Sequence, residues 1–436
     1  MKKISILILF AFAFLGFVAA PKIISKYENL TLRFRLAEEK LQSLGRLIAR
    51  PIEVYQAQRG DADIIVSGNS IDELGFWEKL DTPWDEREFL KTKALSTYQN
   101  NIVVGLLGQA PGTAAVYSYD GSSWKTLGLA SEVQGWESLR YVQVLQEFGG
   151  DLYAGIDNQV WKYSENANNW ERVGGHGSSN PWGNDATYSL VVHKNNLYLG
   201  LMGDRPRMFK FENDHWEEVS GGLPNSGASG IYETWSHTDG RLYSALASIN
   251  GSTSVYVYDD YEQVWDKIGG DGLNGSWISS GFSYGISFSS LNDWLILTST
   301  RHPMTRGNFS SVWAYNGDEW FPVGASIAPI EWANTYSFNA SVVIDDVLYV
   351  GSGGHPAGFV SVWQFNQDAW TLIGGRGVNG SWGEHYPHTL TGDLRNTAAE
   401  YPYRMIEWNG QMAIGFGDAL GASQVYIYHP YQARTD

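Results

Sequence analysis

Short runs that mix β-branched and aromatic residues recur along the chain, each followed by a polar break and then a tryptophan. They read Val116-Tyr117-Ser118-Tyr119, Val160-Trp161-Lys162-Tyr163, Met208-Phe209-Lys210-Phe211, Val255-Tyr256-Val257-Tyr258, Val312-Trp313-Ala314-Tyr315, Val362-Trp363-Gln364-Phe365 and Val425-Tyr426-Ile427-Tyr428. Side chains of this kind pack well on a pleated surface, so each run predicts a strand. Five or seven residues after the last aromatic stands Trp124, Trp170, Trp216, Trp265, Trp320 or Trp370, across Asp-Gly, Asn-Asp or Asn-Gly breaks. Those residue types accept the positive φ of a tight hairpin turn. Upstream of each pair lies another hairpin, as in Tyr188 to His193, the turn Lys194-Asn195-Asn196, and Leu197 to Gly200. The unit therefore holds four strands, a to d in chain order.

The last unit supplies a, b and c from Tyr403 to Trp408, Met412 to Gly415 and Val425 to Tyr428, and the sequence ends at Asp436 without a d strand. A match to the d strands stands at the other end, in Phe76-Trp77-Glu78-Lys79-Leu80, ahead of a first a strand placed at Tyr98. From Trp77 to Trp370 the strand tryptophans recur at intervals of 46 to 55 residues. Four strands repeated at such a period are the pattern of a β-propeller. The expectation is an all-β, seven-bladed propeller over 76–436, in which the N-terminal d strand closes the last blade and removes an open sheet edge.

Residues 1–20 carry Lys2-Lys3 and an apolar run from Ile4 to Ala20, which fits a cleaved export signal or a retained membrane anchor; either places the propeller outside the cytoplasm. In 21–50, apolar residues fall at Ile23, Tyr27, Leu30, Phe34, Ala37, Leu41, Leu44 and Ile48, alternating four and three apart. That heptad seam predicts a helix, either packed on the propeller or forming a short homo-oligomeric stalk. Arg50-Pro51 ends it, and 51–75 reads as a connector.

Composition adds a constraint on partners. The formal charge is −17, with 43% hydrophobic residues, 49 glycines, 19 tryptophans and no cysteine. An acidic surface argues against nucleic acid, whose phosphates need clustered Lys and Arg, and against anionic lipid headgroups. A chain this long buries enough core to do without disulfides.

The Val-Trp-x-Tyr strand, the polar turn and the following tryptophan resemble the second half of a kelch repeat, over about residues 76 to 428. The resemblance implies the fold and carries no functional residue. Kelch repeats have a diglycine at the end of the second strand, where this chain usually has one glycine, as at Gly155, Gly200, Gly351 and Gly415. Its diglycines follow strand d instead, at Gly174-Gly175, Gly221-Gly222, Gly269-Gly270 and Gly374-Gly375. The Asp120 to Trp124 hairpin resembles a sialidase Asp-box but lacks a residue, and the other hairpins do not repeat it.

The b-to-c and d-to-a connections are long and emerge on one face, where function concentrates on a rigid scaffold. Twelve residues after a strand tryptophan stand Trp136, Trp182, Trp277, Trp332 and Trp382, with Phe89 in a sixth position and Ala228 breaking the series. Such regularity favours plugs between blades; the alternative is a ring of stacking platforms for sugars. The loops also differ: Arg301, His302 and Arg306 in blade five, His355 in blade six, and Glu384, His385, His388, Asp393 and Arg395 in the longest loop. That cationic side suits an anionic ligand, because arginine holds carboxylate or sulfate bidentately. The candidate ligand-binding set is therefore Arg301, His302, Arg306, His355, Trp382, Glu384, His385, His388 and Arg395. Glu384, His385 and His388 lack the helical spacing of metalloprotease ligands, so neither a metal nor another cofactor is expected. No catalytic acid/base pair is evident. The first expectation is an extracytoplasmic module that binds a glycan, by its charge an anionic one, or a protein; a polysaccharide lyase or hydrolase, and a structural ring of a surface or virion assembly, are the alternatives.

Overall fold

The computed structural model describes residues 75–430 apart from 87, 176–180, 249–252, 278–281, 302–311, 324–336, 355–357, 367–368, 376, 383–400 and 418–422. The chain divides into the units Met1–Ile65 and Val66–Asp436. The helices expected in 1–20 and 21–50, and the connector up to 74, lie outside the described residues. Among the described residues no helix is long and apolar enough to cross a membrane.

The fold is all-β, built of curled antiparallel sheets as in a propeller. The described residues hold 28 strands. In chain order they pair as successive sets of four: Phe89–Tyr98 with Asn101–Gly108, Ala115–Tyr119 and Trp124–Leu129 form the first. The c-to-d hairpins turn as their residue types predict. Asn213 and Asp214 take φ of 52° and 58°, and the Asp120 carboxylate accepts from the backbone N–H groups of Ser122 and Ser123. These bonds favour the charged form and hold its pKa down at about 2.

The last set is assembled from both ends of this unit. Tyr401–Trp408, Gln411–Gly417 and Gln424–His429 pair in order, and Phe76–Lys79 adds to the edge with Trp77 opposite Tyr428. Inner strands contact one another from set to set, and Phe89–Tyr98 of the first set contacts Tyr401–Trp408 of the last.

Neighbouring sets are joined by tryptophan. Five of the outer-strand indoles reach back to a carbonyl of the preceding outer strand or the residue just after it, while those of Trp124 and Trp370 make no such bond among the described residues. Trp170 Nε1 donates to Leu127 O at 2.9 Å, Trp216 to Val173 O at 3.0 Å, Trp265 to Val219 O at 2.8 Å, Trp320 to Ile268 O at 2.9 Å and Trp77 to Ile373 O at 2.7 Å. A second tryptophan from the d-to-a connection packs on the next outer indole, giving Trp136 against Trp170, Trp182 against Trp216, Trp277 against Trp320 and Trp382 against Trp77.

This packing explains why glycine stands where it does. A Cβ at Gly174 would lie 2.5 Å from Trp182 and 2.9 Å from Trp216 Nε1, so the first glycine of the pair makes room for the indoles. The second, Gly175, turns the chain out of the strand at φ 111°. The single glycine of strand b has a different neighbour: a Cβ at Gly155 would press on Thr187 of the next inner strand at 2.8 Å.

Two expectations are corrected. Phe89 opens the first inner strand, which ends rather than begins at Tyr98. The plug between the last and first sets is instead Trp84, whose ring lies 5.1 Å from Trp124 and whose N–H donates to Ser423 O.

Candidate functional site

Every inner strand carries a residue that its partner strand does not match. In the first set Thr92 faces Leu106 and Ala94 faces Gly105, leaving Lys93 as the extra residue. Corresponding one-residue shifts fall at Gln143, Tyr188, Tyr232, Ile286, Asn339 and Tyr403. A bulge breaks the strict alternation of faces and re-aims a side chain. Here all seven of these residues line one cavity, together with Lys91, Glu233, Thr300, Ser337, Tyr401 and Arg404. Because each inner strand contributes, the cavity lies on the axis about which the strands are arranged. It sits toward their leading ends, the side on which the long connections emerge.

The cavity measures about 290 Å³, close to the lower bound for small-molecule sites. Its wall is mixed in charge. Glu233 and Arg404 pair through two hydrogen bonds of 2.8 and 2.9 Å, joining the fourth set to the seventh. Burial works against the Arg404 charge, and the Glu233 carboxylate more than restores it, so its pKa is raised. Lys93 Nζ lies 4.8 Å from the Tyr188 ring centroid, 5.5 Å from Tyr232 and 5.6 Å from Tyr403, and Lys91 Nζ lies 4.5 Å from Tyr403. Burial, then the neighbouring Tyr188, push the Tyr232 phenol well above its ordinary value, so it stays a neutral group. Two polar atoms of the wall, Gln143 Oε1 and Thr300 Oγ1, are buried without a hydrogen-bond partner among the described residues. Such orphaned groups each cost roughly 1–3 kcal/mol.

The sequence-derived candidates fare unevenly. Trp382 is 7% exposed, donates to Val360 O at 2.8 Å and is packed among Trp77, Phe416 and Tyr426. It has no open face for a sugar and is a packing residue, as are Trp136, Trp182 and Trp277. Arg301 ends the strand Trp294–Arg301, opposite Phe282 and next in chain to the cavity residue Thr300. His302, Arg306, Trp332, His355, Glu384, His385, His388, Asp393 and Arg395 lie outside the described residues. Among the described residues no three His, Asp or Glu side chains gather as a metal site.

Sequence reasoning missed the ring of bulge residues because it compared the repeats only in their loops. Aligned on the inner strands, the same position reads Lys93, Gln143, Tyr188, Tyr232, Ile286, Asn339 and Tyr403. Its neighbours are mostly small or apolar, as in Val142-Gln143-Val144 and Phe338-Asn339-Ala340, so a varied, mostly polar position within a conserved frame was visible there.

No family model matches the chain, and no curated protein sequence does. Among solved structures it is similar to the extracellular domain of the hybrid two-component system BT4673 from B. thetaiotaomicron, with a TM-score of 0.55 and 13% identity. A structure of that domain described as part of a one-component system gives a TM-score of 0.53 at 13% identity. These matches cover 82% and 80% of this chain and 40% of the other, so the chain spans well under half the length of these relatives. A chain of the mitotic checkpoint complex is similar at a TM-score of 0.50 and 13% identity, covering 88% of this chain and 100% of that one. These likenesses show a β-propeller-like fold.

Proposed function

We propose that this chain is an extracytoplasmic recognition module, a seven-bladed, kelch-like propeller closed by its N-terminal strand, which binds a glycan or a protein loop at the axial cavity of its long-loop face. The observation that carries this reading is the bulge ring. One re-aimed residue per set, different in chemistry from set to set, converges on a single cavity, while the residues that repeat from set to set serve packing. Variation at a fixed position on a constant frame is what selective recognition requires. The apolar segment 4–20 supports placement outside the cytoplasm, and the similarity to the extracellular domain of the BT4673 system agrees with it. The heptads of 23–48 further suggest that the module is presented as a homo-oligomer.

Binding is preferred to glycoside hydrolysis because Glu233, the only carboxylate in the described wall, has both oxygens engaged by Arg404. A glycosidase would need a second carboxylate with room for substrate between the two.

The test is a glycan array probed with the full chain and with Tyr188→Ala and Asn339→Ala variants. Recognition at the cavity predicts hits that either substitution weakens or re-ranks. Hits indifferent to both substitutions would move the site to another surface.

A further inference from the structure

The axial cavity is electropositive on a strongly acidic protein. Among the described residues of its wall, three cations, Lys91, Lys93 and Arg404, stand against one carboxylate, Glu233, whereas the chain as a whole carries −17. Arg404 is committed to Glu233 through both oxygens. Lys93 is held differently, over the faces of three tyrosines contributed by the third, fourth and seventh sets. A ring face attracts an ammonium but takes no hydrogen bond of ordinary strength from it and cancels none of its charge. The cage therefore fixes the ammonium in position and leaves its charge available to the cavity, in a concave site that concentrates the field.

Resting on the reading that the cavity is the binding site, we propose that its ligand is an acidic sugar, one ring in size, whose carboxylate is held by Lys93. The remaining wall fits the rest of such a molecule. Gln143, Thr300, Ser337 and Asn339 are neutral donors and acceptors suited to hydroxyls, and two of them hold the orphaned atoms Gln143 Oε1 and Thr300 Oγ1. A cavity of about 290 Å³ admits a single ring and excludes an extended chain, so a polymer would enter by one end.

Isothermal titration of the full chain with glucuronate, galacturonate and N-acetylneuraminate, against glucose, galactose and inorganic sulfate, tests this. At least one acid should bind about tenfold or more tighter than any neutral sugar, the factor expected for a charge-assisted contact. Lys93→Met should abolish that preference, Lys93→Arg should keep most of it, and both should retain the wild-type melting temperature. Equal binding of acid and neutral sugar, unchanged in Lys93→Met but lost in Tyr188→Ala, would overturn the acid preference and leave cavity recognition standing. Sulfate binding as tightly as the acids would show that the sugar ring plays no part and overturn the proposal. Absence of binding by every sugar at millimolar concentration would overturn it together with the small-glycan form of the reading it rests on.

Discussion

Trp77 and Trp382 meet edge to face, with ring centroids 5.1 Å apart and planes at 68°. One comes from the N-terminal strand and the other from the far end of this unit, and Trp77 also donates to Ile373 O, 296 residues away in the chain. The same pairing of a connection tryptophan with an outer-strand tryptophan recurs between other sets. The N-terminal strand is thus joined to the sixth set by the same parts that join other neighbouring sets.

Trp382→Ala should therefore destabilise the protein by about 3–5 kcal/mol, as large buried aromatics do, measured by urea unfolding. Its effect on ligand binding should be no more than follows from that loss. An unchanged urea midpoint would mean that Trp382 is not a plug.

Closure can be tested from both sides of the contact. Removing residues 1–85 takes away Phe76–Lys79 and Trp84, and should lower the melting temperature well below that of residues 51–436. Gly374→Ala places a Cβ 2.9 Å from the Trp77 indole and should cost about 1–3 kcal/mol by overpacking. Equal melting temperatures for the two truncated chains would argue against a closing role for the N-terminal strand.

Much of the frame was legible because its signals are local: the Val-Trp-x-Tyr strands, the Asn and Asp turns and the tryptophan period each follow from neighbouring residues. Trp84 was not, since it stands seven residues after Trp77 rather than twelve, and only Trp124 and Ser423 across the closing contact identify it. The cavity was hidden for a different reason. A bulge adds a residue without a composition of its own, so Lys93 and Tyr403 read as ordinary strand positions until their unmatched register is seen.

Glu233→Gln removes the carboxylate that holds Arg404. Breaking one side of a buried pair costs about 3–5 kcal/mol, and the partial exposure of Arg404 places the expected loss at the lower end, about 3 kcal/mol. The same change raises the positive charge of the cavity, so affinity for an acidic sugar should increase while stability falls. Equilibrium unfolding and titration read the two effects separately, and a fall in both would contradict the assigned role of Glu233.

His193 gives the account a pH dependence. Burial lowers its pKa, against the opposing pull of Asp260 and with a smaller contribution from Lys194; its Nδ1 lies 2.9 Å from Ser236 Oγ, and Asp260 faces Nε2. Between the depressed folded value and the ordinary value near 6.5, the unfolded chain holds a proton that the folded chain does not. The His193 contribution is thus complete above about pH 6.5 and is lost as pH falls through that window. His193→Gln should flatten the dependence of the urea midpoint below about pH 6.5; an equally steep curve would place its origin elsewhere.

The central claim, that the bulge ring reads the ligand, is most directly tested by fluorine NMR of the full chain carrying 3-fluorotyrosine, with resonances assigned by Tyr→Phe substitution. Titration with the tightest-binding sugar acid should shift the signals of Tyr188, Tyr232 and Tyr403. Those of Tyr98, Tyr198 and Tyr349, which pack between sets away from the cavity, should stay in place. Shifts confined to the second group, with Tyr188, Tyr232 and Tyr403 unmoved at saturation, would contradict the account.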